Sequence, residues 1–212
     1  MCRLVLPIAV GAMLAAPSVG QAQILSTLPP NNGSGGIFMQ LTPTTTDLTI
    51  TAFATYFASV AGSPVSVQVY TRPGPYAGFT ASSAGWTLTE TVSGASAGST
   101  VLSSPLVLAN PIPISAGSTV SIYLHSITTG GGIRYQGTGT SSTSSFSNAD
   151  LAMFTDVSRT GAVAFGGTQF SPRAFSGDIH YQLVPEPASI VTFGLVGGIG
   201  LAVRRFRRTR AE

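Results

Sequence analysis

The 212-residue sequence has no lysine, one tryptophan, two histidines and one cysteine. Charged residues make up only 8% of it, against roughly a quarter of an average soluble protein. Each shortage excludes something. The surfaces of amphipathic helices are normally covered by lysine, glutamate, arginine and glutamine, so a protein of long amphipathic helices is not expected. The hydrophobic fraction of 43% is too high for a disordered chain. The formal net charge of +3 resides at the ends: between Gln23 and Val184, Arg72, Arg134, Arg159 and Arg173 face five acids, Asp47, Glu90, Asp150, Asp156 and Asp178. A body without clustered cations cannot neutralise a phosphate backbone, so nucleic acid is not an expected partner.

What is abundant is Ser, Thr and Gly: 47 serines and threonines lie between Gln23 and Val184, and the chain holds 25 glycines. Apolar and polar residues alternate with period two in several stretches, the pattern of half-buried strands. Leu48, Ile50, Ala52, Ala54 and Tyr56 alternate with Thr49, Thr51, Phe53, Thr55 and Phe57. Val65, Val67 and Val69 form a second series, Val120, Ile122 and Leu124 a third, and Phe175, Gly177, Ile179, Tyr181 and Leu183 a fourth. Shorter apolar runs lie at 37–41, 86–92, 101–108, 133–136, 151–155 and 162–165, separated by Gly, Pro, Asn and Ser clusters. The stretch 137–147 reads as a flexible surface loop. About ten short strands with frequent turns predict one all-β domain over 23–184, a two-sheet antiparallel β-sandwich of jelly-roll or Greek-key type.

The two ends carry signals of their own. Met1-Cys2-Arg3, an apolar run over 4–16 and the small residues Gly20 and Ala22 form the three parts of a secretory signal peptide, with cleavage expected after Ala22. Cys2 falls inside that leader, so no disulfide or thiolate chemistry is expected of the mature protein. At the other end, Val184-Pro185-Glu186-Pro187-Ala188-Ser189 precedes an apolar stretch through Val203 and then Arg204, Arg205, Arg207, Arg208 and Arg210. Pro187 suits a first helical turn and Glu186 the positive end of a helix dipole. Residues 188–203, if helical, span about 24 Å, short for a bilayer, and the arginines would hold the C-terminus in the cytoplasm. Gly194 and Gly198 have the spacing of a helix-packing pair, or simply loosen a short helix.

This tail resembles the PEP-CTERM sorting signal of exported proteins in Gram-negative bacteria. The resemblance implies recognition of Pro185, Glu186 and Pro187 by an exosortase, a membrane-embedded cysteine peptidase. It also implies transient membrane anchoring by 188–203 and transfer to the cell surface or extracellular polysaccharide matrix. The expected divisions are a signal peptide over 1–22, the β-domain over 23–184 and the sorting signal over 185–212. Partners would be the translocon, signal peptidase and exosortase, with exopolysaccharide as a further candidate. The body also resembles, loosely, β-sandwich modules found in front of such signals. It does so through Asn31-Asn32-Gly33-Ser34-Gly35-Gly36-Ile37-Phe38 and Pro172-Arg173-Ala174-Phe175-Ser176-Gly177-Asp178-Ile179-His180-Tyr181.

Candidate chemistry within the body is sparse. Gly94-Ala95-Ser96-Ala97-Gly98 has the form of a nucleophile elbow, but β-prone residues follow where a helix is needed, so Ser96 is expected in a turn. His125 and His180 fall on the polar parity of their strands and are expected on outer faces, with Asp178 beside His180. Asn148, Asp150 and Asp156 could offer oxygen ligands to calcium, without the spacing of a calcium loop. Trp86, Tyr70, Tyr76 and Tyr135 could make a sugar-stacking face but are expected to pack. Asn32-Gly33-Ser34 is a glycosylation sequon of little weight here. The reading is a non-catalytic structural or adhesive protein with no cofactor. The alternatives are a polysaccharide hydrolase or lyase, which would need paired carboxylates, and a calcium-dependent carbohydrate-binding module.

Overall fold

Period-two patterning becomes strands throughout. The computed structural model describes residues 22–33, 35–137 and 144–184, and among them there is no helix. In chain order the strands are β1 Ala22–Ser26, β2 Asn32–Gly33, β3 Gly36–Pro43, β4 Leu48–Thr55 and β5 Pro64–Pro73. There follow β6 Thr87–Ala95, β7 Leu106–Ile114, β8 Val120–Ser126, β9 Arg134–Gly137 and β10 Ser145–Ser147. The last are β11 Leu151–Arg159, β12 Gln169–Phe170, β13 Arg173–Phe175 and β14 Gly177–Leu183. They form a four-stranded sheet ordered β1-β14-β4-β7 and a seven-stranded sheet ordered β10-β11-β3-β8-β5-β6, with β12 beside β11. A small third sheet is ordered β13-β9-β2, and the strand pairs are antiparallel throughout. The expected all-β antiparallel class is what the structure has. Residues 1–21 of the expected leader over 1–22, and the expected helix over 188–203, lie outside the described residues; Ala22, the last residue of that leader, opens β1.

Side chains from both larger sheets meet in one apolar cluster. The seven-stranded sheet contributes Ile37, Met39 and Leu41 from β3, Ile122 and Leu124 from β8, and Val65, Val67 and Val69 from β5. The four-stranded sheet contributes Leu48, Ile50 and Phe53 from β4, Ile179 and Tyr181 from β14, and Leu106, Leu108, Ile112 and Ile114 from β7. Ile133, Tyr135 and Phe175 of the small sheet's region extend the cluster where β4 runs on to Phe57, which bridges Ile133. Full burial of each large apolar side chain contributes roughly 1.5–3 kcal/mol.

Several expectations are corrected. In β4 the pairing with β7 shifts register between Ile50 and Ala52. This irregularity reverses the inward parity, so Phe53 and Phe57 enter the core in place of Ala52, Ala54 and Tyr56. The run at 101–108 becomes a strand only from Leu106, which continues through Pro111 and Pro113 to Ile114. Proline is tolerated there because β7 is an edge strand and its outward N–H groups need no ladder partner. The run at 162–165 is a turn, not a strand, and Ser145–Ser147 of the expected loop pairs with β11. Residues 138–143 of that loop lie outside the described set. β1, unread in the sequence, adds an edge to β14, with Ala22 opposite Gln182 and Ser26 opposite Asp178.

β14 lies between β1 and β4, and its first residue shows how close the approach is. Gly177 has φ +147°, and a Cβ there would lie 2.0 Å from the carbonyl oxygen of Ala54. By contrast Gly117, at φ +71°, has open space around it. Gly177→Ala is therefore expected to lower stability by about 2 kcal/mol or more, and Gly117→Ala by about 1 kcal/mol or less. Denaturant titration of the two variants checks the difference; equal losses would contradict the close packing of β14 on β4.

Candidate functional site

The outward face of the seven-stranded sheet is not left to water. Phe38 and Tyr123 project from β3 and β8 on the side opposite the core, and their rings stack at 3.9 Å with 8° between planes. Two connections fold over them: residues 74–86, joining β5 to β6, and 160–168, joining β11 to β12. The first brings Tyr76 and Trp86, the second Phe165, and together with Val157 these form a second buried cluster. Thr80 Oγ1 donates to Gln169 Oε1 at 2.6 Å, tying one connection to the end of the other. Trp86 Nε1 donates to the carbonyl of Phe79 at 2.8 Å, and the Arg72 guanidinium lies 3.6 Å from the Phe79 ring centre. The expectation that Trp86, Tyr76 and Tyr135 pack holds, since all three are buried; only Tyr70 remains part-exposed.

His125 corrects the sequence reading. It does lie on the polar parity of β8, but it is fully buried, because the 160–168 connection covers that face. Its Nε2 meets the carbonyl of Ala162 at 3.4 Å and its Nδ1 meets Tyr123 Oη at 3.1 Å. A carbonyl only accepts, so Nε2 carries the ring proton and Nδ1 accepts from the Tyr123 hydroxyl. That hydroxyl in turn accepts the N–H of Phe165 at 3.4 Å. Burial pushes the imidazole's pKa below its ordinary value, partly offset by the Ala162 contact, and pushes the Tyr123 hydroxyl's well up. Phe165 itself sits at φ 64°, a conformation rare for a bulky residue and one that the surrounding contacts must hold.

Between the two connections lies a cleft of about 660 Å³. Its lining includes Gln68, Tyr70, Ser82 and Ser83 on one side and the turn 162–166 on the other. At Ile127 and Ala162 it adjoins a second cleft of about 260 Å³, whose lining includes Thr128, Thr129 and Thr160. Among the described residues no charged side chain lines either part. Sequence reasoning did not find this groove. Its residues come from β5, the end of β8 and several connections, among them 74–86, 127–133 and 160–168, and nothing in their spacing announces that these meet.

The remaining candidates are dispersed. Ser96 is buried in a turn after β6, where its hydroxyl donates to the carbonyl of Ser59 at 2.9 Å and accepts from the Gly98 N–H at 3.0 Å. The chain then proceeds to β7 without a helix, so no nucleophile elbow is formed. Asn148 Oδ1 accepts the N–H groups of Asp150 and Leu151, and Asp150 Oδ2 accepts from Tyr181 Oη at 3.1 Å. Asp156 lies six residues further along β11, about 20 Å at the rise of a strand, and accepts from Tyr76 Oη. The three oxygen donors do not converge, and among the described residues no group of three or more His, Cys, Asp or Glu is placed to hold a metal. Burial and the adjacent Asp156 push the Tyr76 hydroxyl's pKa well up. Asp178 and His180 do share the outer face of β14, both part-exposed. Glu90, which the sequence did not single out, accepts from the backbone N–H groups of Ala109 and Asn110, at 3.0 Å each.

Pro185, Glu186, Pro187 and the five tail arginines lie outside the described residues. The last described residue, Val184, donates its N–H to the carbonyl of Asp47 at 2.8 Å, so the domain remains fastened up to the start of the tail. Among the described residues no helix is long and apolar enough to cross a membrane. Residues 183–208 match the family described as the PEP-CTERM protein-sorting motif. The chain thus carries the sorting motif of exported exosortase substrates, and the match adjoins β14 at Leu183. No curated protein matches the chain.

The buried imidazole gives a pH dependence with a definite sign. Its folded pKa lies below the ordinary 6.5, so on acidification the unfolded chain takes up a proton first. Stability from this site is complete above pH 6.5 and is lost as pH falls below it. The denaturation midpoint is expected to drop as pH falls below about 6.5, and His125→Gln to flatten that slope. Equal slopes in the two proteins would contradict a neutral, buried His125.

Proposed function

We propose that this protein is exported, sorted by an exosortase to the cell surface or extracellular matrix, and equipped with a structural or adhesive domain rather than a catalytic one. The observation that carries the reading is the sorting motif over 183–208, directly continuous with the last strand. In this reading the leader is removed after Ala22, residues 188–203 anchor the precursor transiently, and Arg204, Arg205, Arg207, Arg208 and Arg210 hold its end in the cytoplasm. The translocon, signal peptidase and exosortase act on it in turn.

Support for a non-catalytic domain comes from what its carboxylates do. Glu90 and Asp47 accept backbone N–H groups, and Asp150 and Asp156 accept tyrosine hydroxyls. Four of the body's five acids are thus engaged in holding the chain, and Asp178 stands on the opposite sheet. A hydrolase acting on polysaccharide would need paired carboxylates facing a groove, and none of the described residues lining the groove on the seven-stranded sheet is a carboxylate.

The jelly-roll form of the sandwich belongs to the same proposal. Eight strands, β1, β3 to β8 and β14, make its frame. They are ordered first-eighth-third-sixth in one sheet and second-seventh-fourth-fifth in the other, with β11 added beside the second. That order winds two Greek keys across two sheets.

Changing Pro185, Glu186 and Pro187 together to Ala tests the sorting reading. The wild-type surface fraction should yield no peptide spanning 199–204 by mass spectrometry. The triple variant should accumulate in the inner membrane at full length, with its domain folded. Tail peptides in the released wild-type protein, or unchanged release of the variant, would leave an ordinary tail anchor.

A further inference from the structure

We propose that the groove across the outward face of the seven-stranded sheet binds a neutral saccharide chain. The proposal deepens the adhesive reading above, since it gives the domain a ligand class and a place to hold it. Charge comes first. Although Arg72 and Arg159 lie on the same sheet, neither they nor any other charged side chain among the described residues lines the groove. A uronate, phosphate or cationic ligand would lose hydration there without gaining a counter-charge. The lining instead mixes two chemistries. Tyr70 offers a part-exposed ring, and Ile127 and Val163 are 46% and 74% exposed. Gln68, Ser82, Ser83 and Thr129 offer amide and hydroxyl groups that both donate and accept. A pyranose has the matching division, with C–H faces that pack on apolar surface and hydroxyls that exchange hydrogen bonds.

Shape and rigidity point the same way. The groove is open rather than enclosed and continues past Ile127 and Ala162, which suits several linked units better than one small molecule. Its larger part falls within the roughly 300–1,000 Å³ usual for ligand clefts. One wall is formed in advance: Gly166 N–H donates to the carbonyl of Val163 at 3.0 Å, and Phe165 is pinned through Tyr123 and His125. A wall held by buried contacts has little freedom left to lose on binding, which favours affinity for a weakly interacting neutral ligand.

The test is affinity electrophoresis of the full chain, in mild detergent, through gels containing dextran, a galactomannan, a soluble β-glucan or alginate. Because it requires no sorting, a negative result leaves the exosortase reading untouched, and a failure of sorting leaves this result untouched. Retardation by at least one neutral polysaccharide, and less by alginate, is expected. Ile127→Asp, at an exposed position, should weaken that retardation about tenfold. Val107→Asp, at a 71% exposed position on β7 of the other sheet, should leave it unchanged. Circular dichroism confirms that both variants remain folded. No retardation by any neutral polysaccharide, retardation by alginate equal to or stronger than theirs, or the same response in both variants would overturn the proposal.

Discussion

The stack of Phe38 on Tyr123 is the contact on which the outward half of the molecule depends. Each ring sits on a strand whose neighbouring residues point into the main core, so β3 and β8 are apolar on both faces. A sheet of this kind must be covered twice. The four-stranded sheet covers one side, and the other is covered by the connections at 74–86 and 160–168. The turn that holds Phe165 at positive φ, the burial of His125 and the walls of the groove all follow from that second covering. Without the aromatic pair the two connections would have only Val157 and the part-buried Tyr70 of the sheet to settle on.

Few ionic groups are available to this chain, and they are used sparingly. With no lysine and five carboxylates in the body, edges and turns among the described residues are closed by single acids. Glu90 reaches across from β6 to two N–H groups of β7, where Pro111 and Pro113 already leave that edge short of donors. Asp47 closes the turn after β7 through the Ala116 N–H. Elsewhere hydroxyls do comparable work: Thr55 Oγ1 donates to the Ser176 carbonyl and Thr155 Oγ1 to that of Phe38, both fully buried. The abundance of Ser and Thr is therefore partly internal, satisfying main-chain groups where strands separate.

The strand frame was legible because alternation is a local property. Val65, Val67 and Val69, or Ile122 and Leu124, announce their inward face without help from the rest of the chain. It failed where tertiary structure overrides parity. The register shift in β4 moves Phe53 inward, and no residue of the local pattern marks it. His125 obeys its parity and is still buried, because what covers it is a loop some 35 residues away in sequence. Ile37-Phe38-Met39 and Ile122-Tyr123-Leu124 did contain the clue, since three consecutive apolar residues in a strand signal burial on both sides. The sorting tail was legible for a different reason: a sorting motif is a linear pattern of residue types, independent of the fold around it.

The first and last described strands are neighbours, and this bears on how the domain is completed. Thr27 and Gly177, 150 residues apart, exchange hydrogen bonds of 3.0 and 2.8 Å where β1 meets β14. Until β14 arrives, β1 and β4 are two open edges facing an empty lane, with their hydrogen-bonding groups unpaired. Closing that lane needs a contact of very high sequence separation, the slowest kind to form. A chain that emerges from its N-terminus would thus spend most of its emergence with this gap unfilled, prone to pairing with another chain. The strand that ends this exposure is the one immediately before the tail, so completion of the sheet and presentation of the tail fall at nearly the same moment.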